Sequence, residues 1–257
     1  MRDGYRGALK RPVADRPAPE RHRQTLEESM RHISRILFIS LVISIGCGGV
    51  PDSIPTGSWN YALLINGVRA GGAVISNHRE GETYVIASEL NMNIAGMQNV
   101  SRQVVTETTA FTPVKIETSN RIKIPAGWKD IQTTALFRGK NVEIRSGGRK
   151  TVITLQGEFV LDGNYFTARL IEGGFRDGLE IKGAIYDPSI ELDALVPVTT
   201  RVVGRELVDV GGVKRRLLHV SQSIDVVKSA DSYLDEKGVM VKAVVQMMNL
   251  TVELILE

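Results

Sequence analysis

The chain has one cysteine, Cys47, and four histidines. A thiol can act as a nucleophile, a metal ligand, half of a disulfide or an acyl acceptor. With no second cysteine, an internal disulfide and a multi-thiol zinc site are excluded. Of the histidines that follow Cys47, His78 and His219 lie about 140 residues apart, and each reads as an ordinary polar residue, in a turn and on a strand face respectively. The sequence holds no HExxH, no G-x-S-x-G and no phosphate-cradling G-x-x-x-x-G-K, so zinc hydrolysis, triad acyl transfer and nucleotide binding lack their parts. Glu89, Glu117, Glu143 and Glu180 fall at the wet positions of alternating stretches and read as surface carboxylates. The expectation is a protein that is not an enzyme, with no cofactor and no metal.

The segment before Cys47 gives that thiol a context. Residues 30–46 (MRHISRILFISLVISIG) place Arg31, His32 and Arg35 ahead of an apolar run, Ile36 to Ile45, that ends in Gly46. A basic head, a short apolar middle and small residues at a cut describe a signal peptide. The run is far shorter than the roughly 20 residues a spanning helix needs. Residues 1–29 are rich in Arg and Pro, are poor in large apolar side chains, and are expected to be disordered and to lie upstream of a translation start at Met30. Residues 1–46 carry nine of the 32 Lys and Arg but five of the 29 Asp and Glu, which leaves 23 against 24 behind them. The basic balance therefore belongs to the leader, and the part that follows has no net pull toward nucleic acid.

Ile43-Ser44-Ile45-Gly46-Cys47 resembles the bacterial lipobox. The resemblance implies that Cys47 is acylated and becomes the membrane-anchored N-terminus, although Ser44 stands where the family usually has Leu. Residues 47–57, dense in Gly and Pro, read as a linker that lifts the following domain off the anchor.

Residues 58–257 read as one antiparallel β-domain. Val114, Ile116, Thr118, Ile122 and Ile124 alternate with Lys115, Glu117, Ser119, Arg121 and Lys123, a period of two with one dry face. Trp59-Tyr61-Leu63-Ile65, Val142–Arg145, Leu179–Lys182 and Ile190–Asp193 repeat the pattern. Asn66-Gly67, Glu80-Gly81, Gly147-Gly148, Gly211-Gly212 and Lys237-Gly238 supply hairpin turns. The rhythm breaks at Asn91–Gln98, read as a loop tip, and at Leu161–Ile171, read as a helix of about two turns with Asp162 as cap and Gly173-Gly174 as stop. The fold class expected is mainly β, a strongly curved antiparallel sheet or incomplete barrel with one short helix packed in or against it and an apolar concave face. Aromatic girdles of an outer-membrane barrel are absent.

Gly57–Tyr61 with Ile65–Gly71, the stretch Arg201–Val213 and the stretch Tyr233–Lys242 resemble hairpins of a broad class of bacterial envelope proteins of unknown function, built like the Lol lipoprotein carriers. That resemblance implies a curved sheet around a hydrophobic cavity and no agreed catalytic residues. Trp59, Tyr61, Leu63 and Ile116 are the expected ligand-lining residues. Trp128, in a turn-like stretch, either packs back onto the sheet or lips the cavity. Lys214-Arg215-Arg216 beside Gly211-Gly212 is either a solvated hairpin end or a contact for anionic lipid.

Together these readings give a lipoprotein of the cell envelope, in the outer membrane and facing the periplasm, that binds an acyl chain or a lipoprotein in its concave face. The alternative is a structural or assembly lipoprotein that binds another envelope protein through a sheet edge or loop.

Overall fold

The structure is a computed structural model and describes residues 54–94, 97–124, 127–224, 229–236, 238–247 and 250–257. Cys47, the signal-like segment and residues 1–29 lie outside the described residues. Fourteen strands form one antiparallel sheet: β1 (Gly57–Ile65), β2 (Val68–Glu80), β3 (Thr83–Ile94), β4 (Met97–Thr108), β5 (Pro113–Ile124), β6 (Gly127–Arg138), β7 (Asn141–Ser146), β8 (Arg149–Thr154), β9 (Glu180–Ile185), β10 (Val196–Val210), β11 (Val213–Ile224), β12 (Ser229–Leu234), β13 (Met240–Met247) and β14 (Leu250–Leu256). One helix, α1 (Asn164–Glu172), lies between β8 and β9.

The spatial order is β8-β7-β6-β5-β4-β3-β2-β1-β14-β13-β12-β11-β10-β9. Consecutive strands are neighbours almost throughout, as short hairpin turns require. The exception is β1 against β14, which joins the two ends of the domain and leaves β8 and β9 as the edges. Asn66 fixes this junction: its backbone N–H donates to Thr251 O (2.8 Å), and its Oδ1 accepts from Thr251 N (2.9 Å). Asn66 has φ 48° and Gly67 φ 77°, the left-handed pair that a two-residue hairpin demands.

The sheet does not close on itself. The chain between its edges fills the concavity instead. Leu170 and Ile171 of α1 pack with Tyr61 and Leu63 of β1, with β2 and β3, and with β10–β14. Phe166, fully buried, packs with Ile185, Val196, Val198 and Ile224. Leu161 and Tyr186 join Tyr84, Ile86, Val105, Ile116, Ala135 and Ile144. One short segment thus supplies apolar surface to every side of the rolled sheet, the burial that a single-sheet fold otherwise lacks. Gly183 on β9 makes room for it, since a Cβ there would meet the Phe166 ring at 3.0 Å.

Several sequence expectations shift at this level. The helix starts two residues after Asp162, with Gly163 at its N-cap position. Asp162 Oδ1 still accepts from Asn164 N at 2.8 Å, and Gly173 and Gly174 end the helix as the sequence indicates. Asn91–Ile94 is not loop but the end of β3. Ile190–Asp193 is not strand. Asp187 turns that segment locally, its Oδ1 accepting from Ser189 N (2.7 Å) and its O from Ile190 N (3.0 Å), while Tyr186 Oη donates to Leu192 O. Residues assigned to a linker are partly built in: Gly57 opens β1, Ile54 is buried in the core, and Pro55 O accepts from Asn77 Nδ2.

The concave face is not uniformly apolar. Across β3 to β7 the register aligns Ser88, Gln103, Thr118, Thr133 and Ser146 in one inward row. The neighbouring row is Ile86, Val105, Ile116, Ala135 and Ile144. A polar stripe therefore runs beside an apolar one inside the shell. Thr133 and Ser146 hydrogen-bond across it at 2.8 Å, and Gln103 Nε2 donates to Asp187 Oδ2 at 2.7 Å.

Candidate functional site

Where β9 and its flanking segment meet the ends of β4–β7, the shell opens into a cleft of about 510 Å³. The β4–β5 turn contributes Phe111, the chain after β8 contributes Phe159 and Val160, α1 contributes Tyr165, and Lys140 and Lys182 stand at the rim. Lys140 Nζ pairs with Glu158 (3.2 Å), and Lys182 Nζ with Glu180 (3.1 Å). The floor is fixed by a parallel bridge: Val160 N donates to Ala184 O, and Tyr186 N donates to Val160 O, each at 3.0 Å.

Phe111 is the most constrained lining residue. Its φ is 61°, in the left-handed region that a bulky side chain avoids. The turn imposes it: Phe111 N donates to Thr108 O (2.8 Å) and Thr112 N to Thr108 Oγ1 (3.0 Å). The result is a ring stacked on Tyr84 (centroids 6.2 Å apart) and edge-on to Tyr165 (5.8 Å). Backbone strain of this kind costs on the order of 1–3 kcal/mol and concentrates at functional sites.

Behind the cleft floor is a buried acid pair. Glu107 faces Pro113, a lining residue, across the β4–β5 register, and Asp162 lies between the lining residues Val160 and Tyr165. Glu107 is 0% exposed. Burial, then the field of Asp162 and a hydrogen bond to it, holds the Glu107 carboxyl well above the ordinary carboxylate range. Burial raises Asp162 to about 6, against the lowering effects of its bonds from Asn164 N and Glu107. Both carboxyls therefore hold a proton more readily than an ordinary carboxylate does.

Trp59, Tyr61, Leu63 and Ile116 all point inward, as expected, but they stand in packed core and none of the four lines this cleft. Tyr61 also touches a second depression of about 570 Å³ along β1–β3, walled by Arg69, Glu89 and Glu257. Burial pushes its hydroxyl far above the usual tyrosine value. Trp128 lies on the outer face of β6, 45% exposed, under the Arg121 guanidinium at 5.2 Å from the ring centroid. It lines neither the cleft nor the β1–β3 depression, and strand alternation sends it opposite Ala135 and Phe137.

His78 is exposed on β2 rather than in a turn. His219 is on the outer face of β11, with Nε2 2.8 Å from Asp231 Oδ1 and its ring stacked on Tyr233. The two histidines do not converge. Glu89, Glu117, Glu143 and Glu180 are surface carboxylates, paired with Arg102, Lys115, Arg145 and Lys182. Among the described residues no group of three or more His, Cys, Asp or Glu is arranged to hold a metal. The cleft and the acid pair were not read from the sequence. The one signal was Thr108–Pro113, an aromatic residue set among turn formers.

These features define a class: a single curved antiparallel sheet, short of barrel closure, plugged by its own helix and opening at one seam. The crystal structure of a β-barrel-like protein of domain of unknown function DUF1849 from Brucella abortus shares this fold, with a TM-score of 0.57, 13% identity, and coverage of 78% of this chain and 94% of that one. A DUF1089 family protein from Pseudomonas aeruginosa aligns at a TM-score of 0.34 and 12% identity, over 74% of this chain and 90% of that one. No protein-family model and no curated protein matches the sequence.

Proposed function

We propose that this protein is a lipid-anchored envelope lipoprotein, held at the outer membrane by Cys47 and facing the periplasm, whose β-shell binds an amphipathic ligand with an acyl chain and performs no catalysis. The observation that carries the ligand reading is the seam cleft. Its volume lies within the roughly 300–1,000 Å³ of small-molecule sites, and its walls combine aromatic surface with a few charged groups at the mouth. The apolar chain lies against Phe111, Phe159, Val160 and Tyr165, and an anionic head meets Lys140 and Lys182. The residues expected to line the ligand, Trp59, Tyr61, Leu63 and Ile116, belong to the packed core and not to this cleft. The anchor rests on the lipobox-like sequence before Cys47.

The test uses the purified chain and a dansylated fatty acid. Saturable uptake is expected, weakened about tenfold or more by Phe111→Ser or by Lys140→Glu with Lys182→Glu. Uptake indifferent to these changes, or none at all, overturns the cleft as the site. Metabolic labelling with a radioactive fatty acid, with Cys47→Ser as comparison, tests the anchor separately; an unlabelled parent protein removes it.

A second reading has its own observation. The sheet ends on β8, whose outer backbone edge carries Val152 at 62% exposure. Such an edge accepts a strand from another envelope protein. Crosslinking from membranes that recovers one stoichiometric partner through β8 would favour an assembly role.

A further inference from the structure

The β10–β11 hairpin outruns its neighbours. β9 pairs with β10 only as far as Arg201, and β12 pairs with β11 only from Leu218 onward. Beyond these points β10 and β11 pair only with each other, from Glu206↔Leu217 to Val210↔Val213 around the Gly211-Gly212 turn. The ribbon is held at its base by Glu206 against His219 (3.2 Å) and close to its turn by Lys242 Nζ, which donates to Asp209 O (3.4 Å). Leu207 is 71% exposed and Val213 63%, and neither belongs to a core cluster.

Four cations surround these side chains: Arg205, Lys214, Arg215 and Arg216. Among the described residues none of the four has an ion-pair or hydrogen-bond partner for its side chain, whereas most Lys and Arg on the sheet wall are paired. The ribbon's acids are engaged elsewhere: Glu206 with His219, and Asp209, whose Oδ1 accepts from Gly212 N at 2.9 Å to close the turn. Antiparallel register puts Leu207 beside Arg216, and Asp209 beside Lys214, on one face, with Val208 beside Arg215 and Val210 beside Val213 on the other. Behind Cys47 the chain carries 23 Lys and Arg against 24 Asp and Glu with this ribbon included, so the cations are concentrated here.

We propose that one face of this ribbon docks on the surface of an anionic membrane, with Leu207 entering the headgroup boundary and Arg205, Lys214 and Arg216, on the same face, meeting lipid phosphates. The charge complements phosphate, and aliphatic side chains between cationic ones suit a layered target, apolar beneath and anionic above. No ribbon residue lines the seam cleft or the β1–β3 depression. The proposal stands whether or not the seam cleft holds a ligand.

The experiment places an environment-sensitive fluorophore on Leu207→Cys in the full chain, with Cys47→Ser so that only the new thiol is labelled. The control label is Val100→Cys, on the outer face of β4. Vesicles containing phosphatidylglycerol should blue-shift the label at 207 and not that at 100, and phosphatidylcholine vesicles should shift neither. A label at 100 that responds equally would report tethering by the apolar leader and overturn the ribbon as the contact. Arg205→Glu, Lys214→Glu and Arg216→Glu together should weaken the anionic-vesicle response of the label at 207 on the order of 100-fold, and raised salt should weaken it in the unreversed chain. The three changes to Gln should fall between. A charge-reversed protein with the same thermal transition and an undiminished response at 207 refutes the proposal.

Discussion

Replacing Glu107 by Gln removes a titratable proton from the sealed interior while keeping a donor toward Asp162. Both carboxyls have folded values above their ordinary ones, Asp162 near 6 and Glu107 well above the carboxylate range. The folded chain therefore holds protons that the unfolded chain has released, and stability must fall as pH rises out of the carboxylate range. Wherever Glu107 is protonated in the folded chain and ionised in the unfolded one, each pH unit costs about 1.4 kcal/mol. Glu107→Gln has no such proton to lose. Over that window parent and variant should diverge by about 1.4 kcal/mol per pH unit, or about 3–6 °C in Tm for a domain of this size. Calorimetry or urea titration on both proteins from pH 5 to pH 8 provides the comparison, and titrations elsewhere cancel in the difference. Parallel stability curves would refute a Glu107 carboxyl raised by burial. A variant less stable by the same amount at every pH would show that Glu107 matters only for packing.

Two structural predictions accompany it. Phe166→Ala deletes the fully buried ring that seats α1 against β9–β11 and should cost about 3–5 kcal/mol in denaturant unfolding. Gly71→Ala drives a methyl group into the backbone carbonyl of Asn91, so β2 and β3 must part locally. A loss of about 1–3 kcal/mol is expected, with faster amide exchange confined to that strand pair.

Strand existence was legible because one face of most strands meets water. Lys115, Glu117, Arg121 and Lys123 cannot be buried cheaply, so their alternation with Val114, Ile116, Ile122 and Ile124 reports β5 directly. Strand β4 was harder to read. Asn99, Ser101, Gln103 and Glu107 are as polar as Gln98, Arg102 and Thr106 between them, so the pattern does not say which set faces inward. The pairing of Gln103 with Ser88 and Thr118 decides it. Ile190–Asp193 misled for the opposite reason: its alternation is genuine, but Asp187 satisfies the backbone locally before any neighbour strand can.

The sequence by itself determined the β class, most hairpin turns, the short helix after β8, the surface placement of Glu89, Glu117, Glu143 and Glu180, and the absence of familiar catalytic motifs. These follow from local physics: side-chain period, turn geometry and the cost of burying charge. Tertiary structure alone decided that β1 pairs with β14, that the helical segment fills the roll, and that Trp128 faces outward. It also decided that residues as distant as Phe111, Lys140, Tyr165 and Lys182 meet at one seam. Those outcomes depend on register and on long-range closure. A shift of one residue along any strand exchanges its inner and outer faces, and no short stretch of sequence records how fourteen strands are finally aligned.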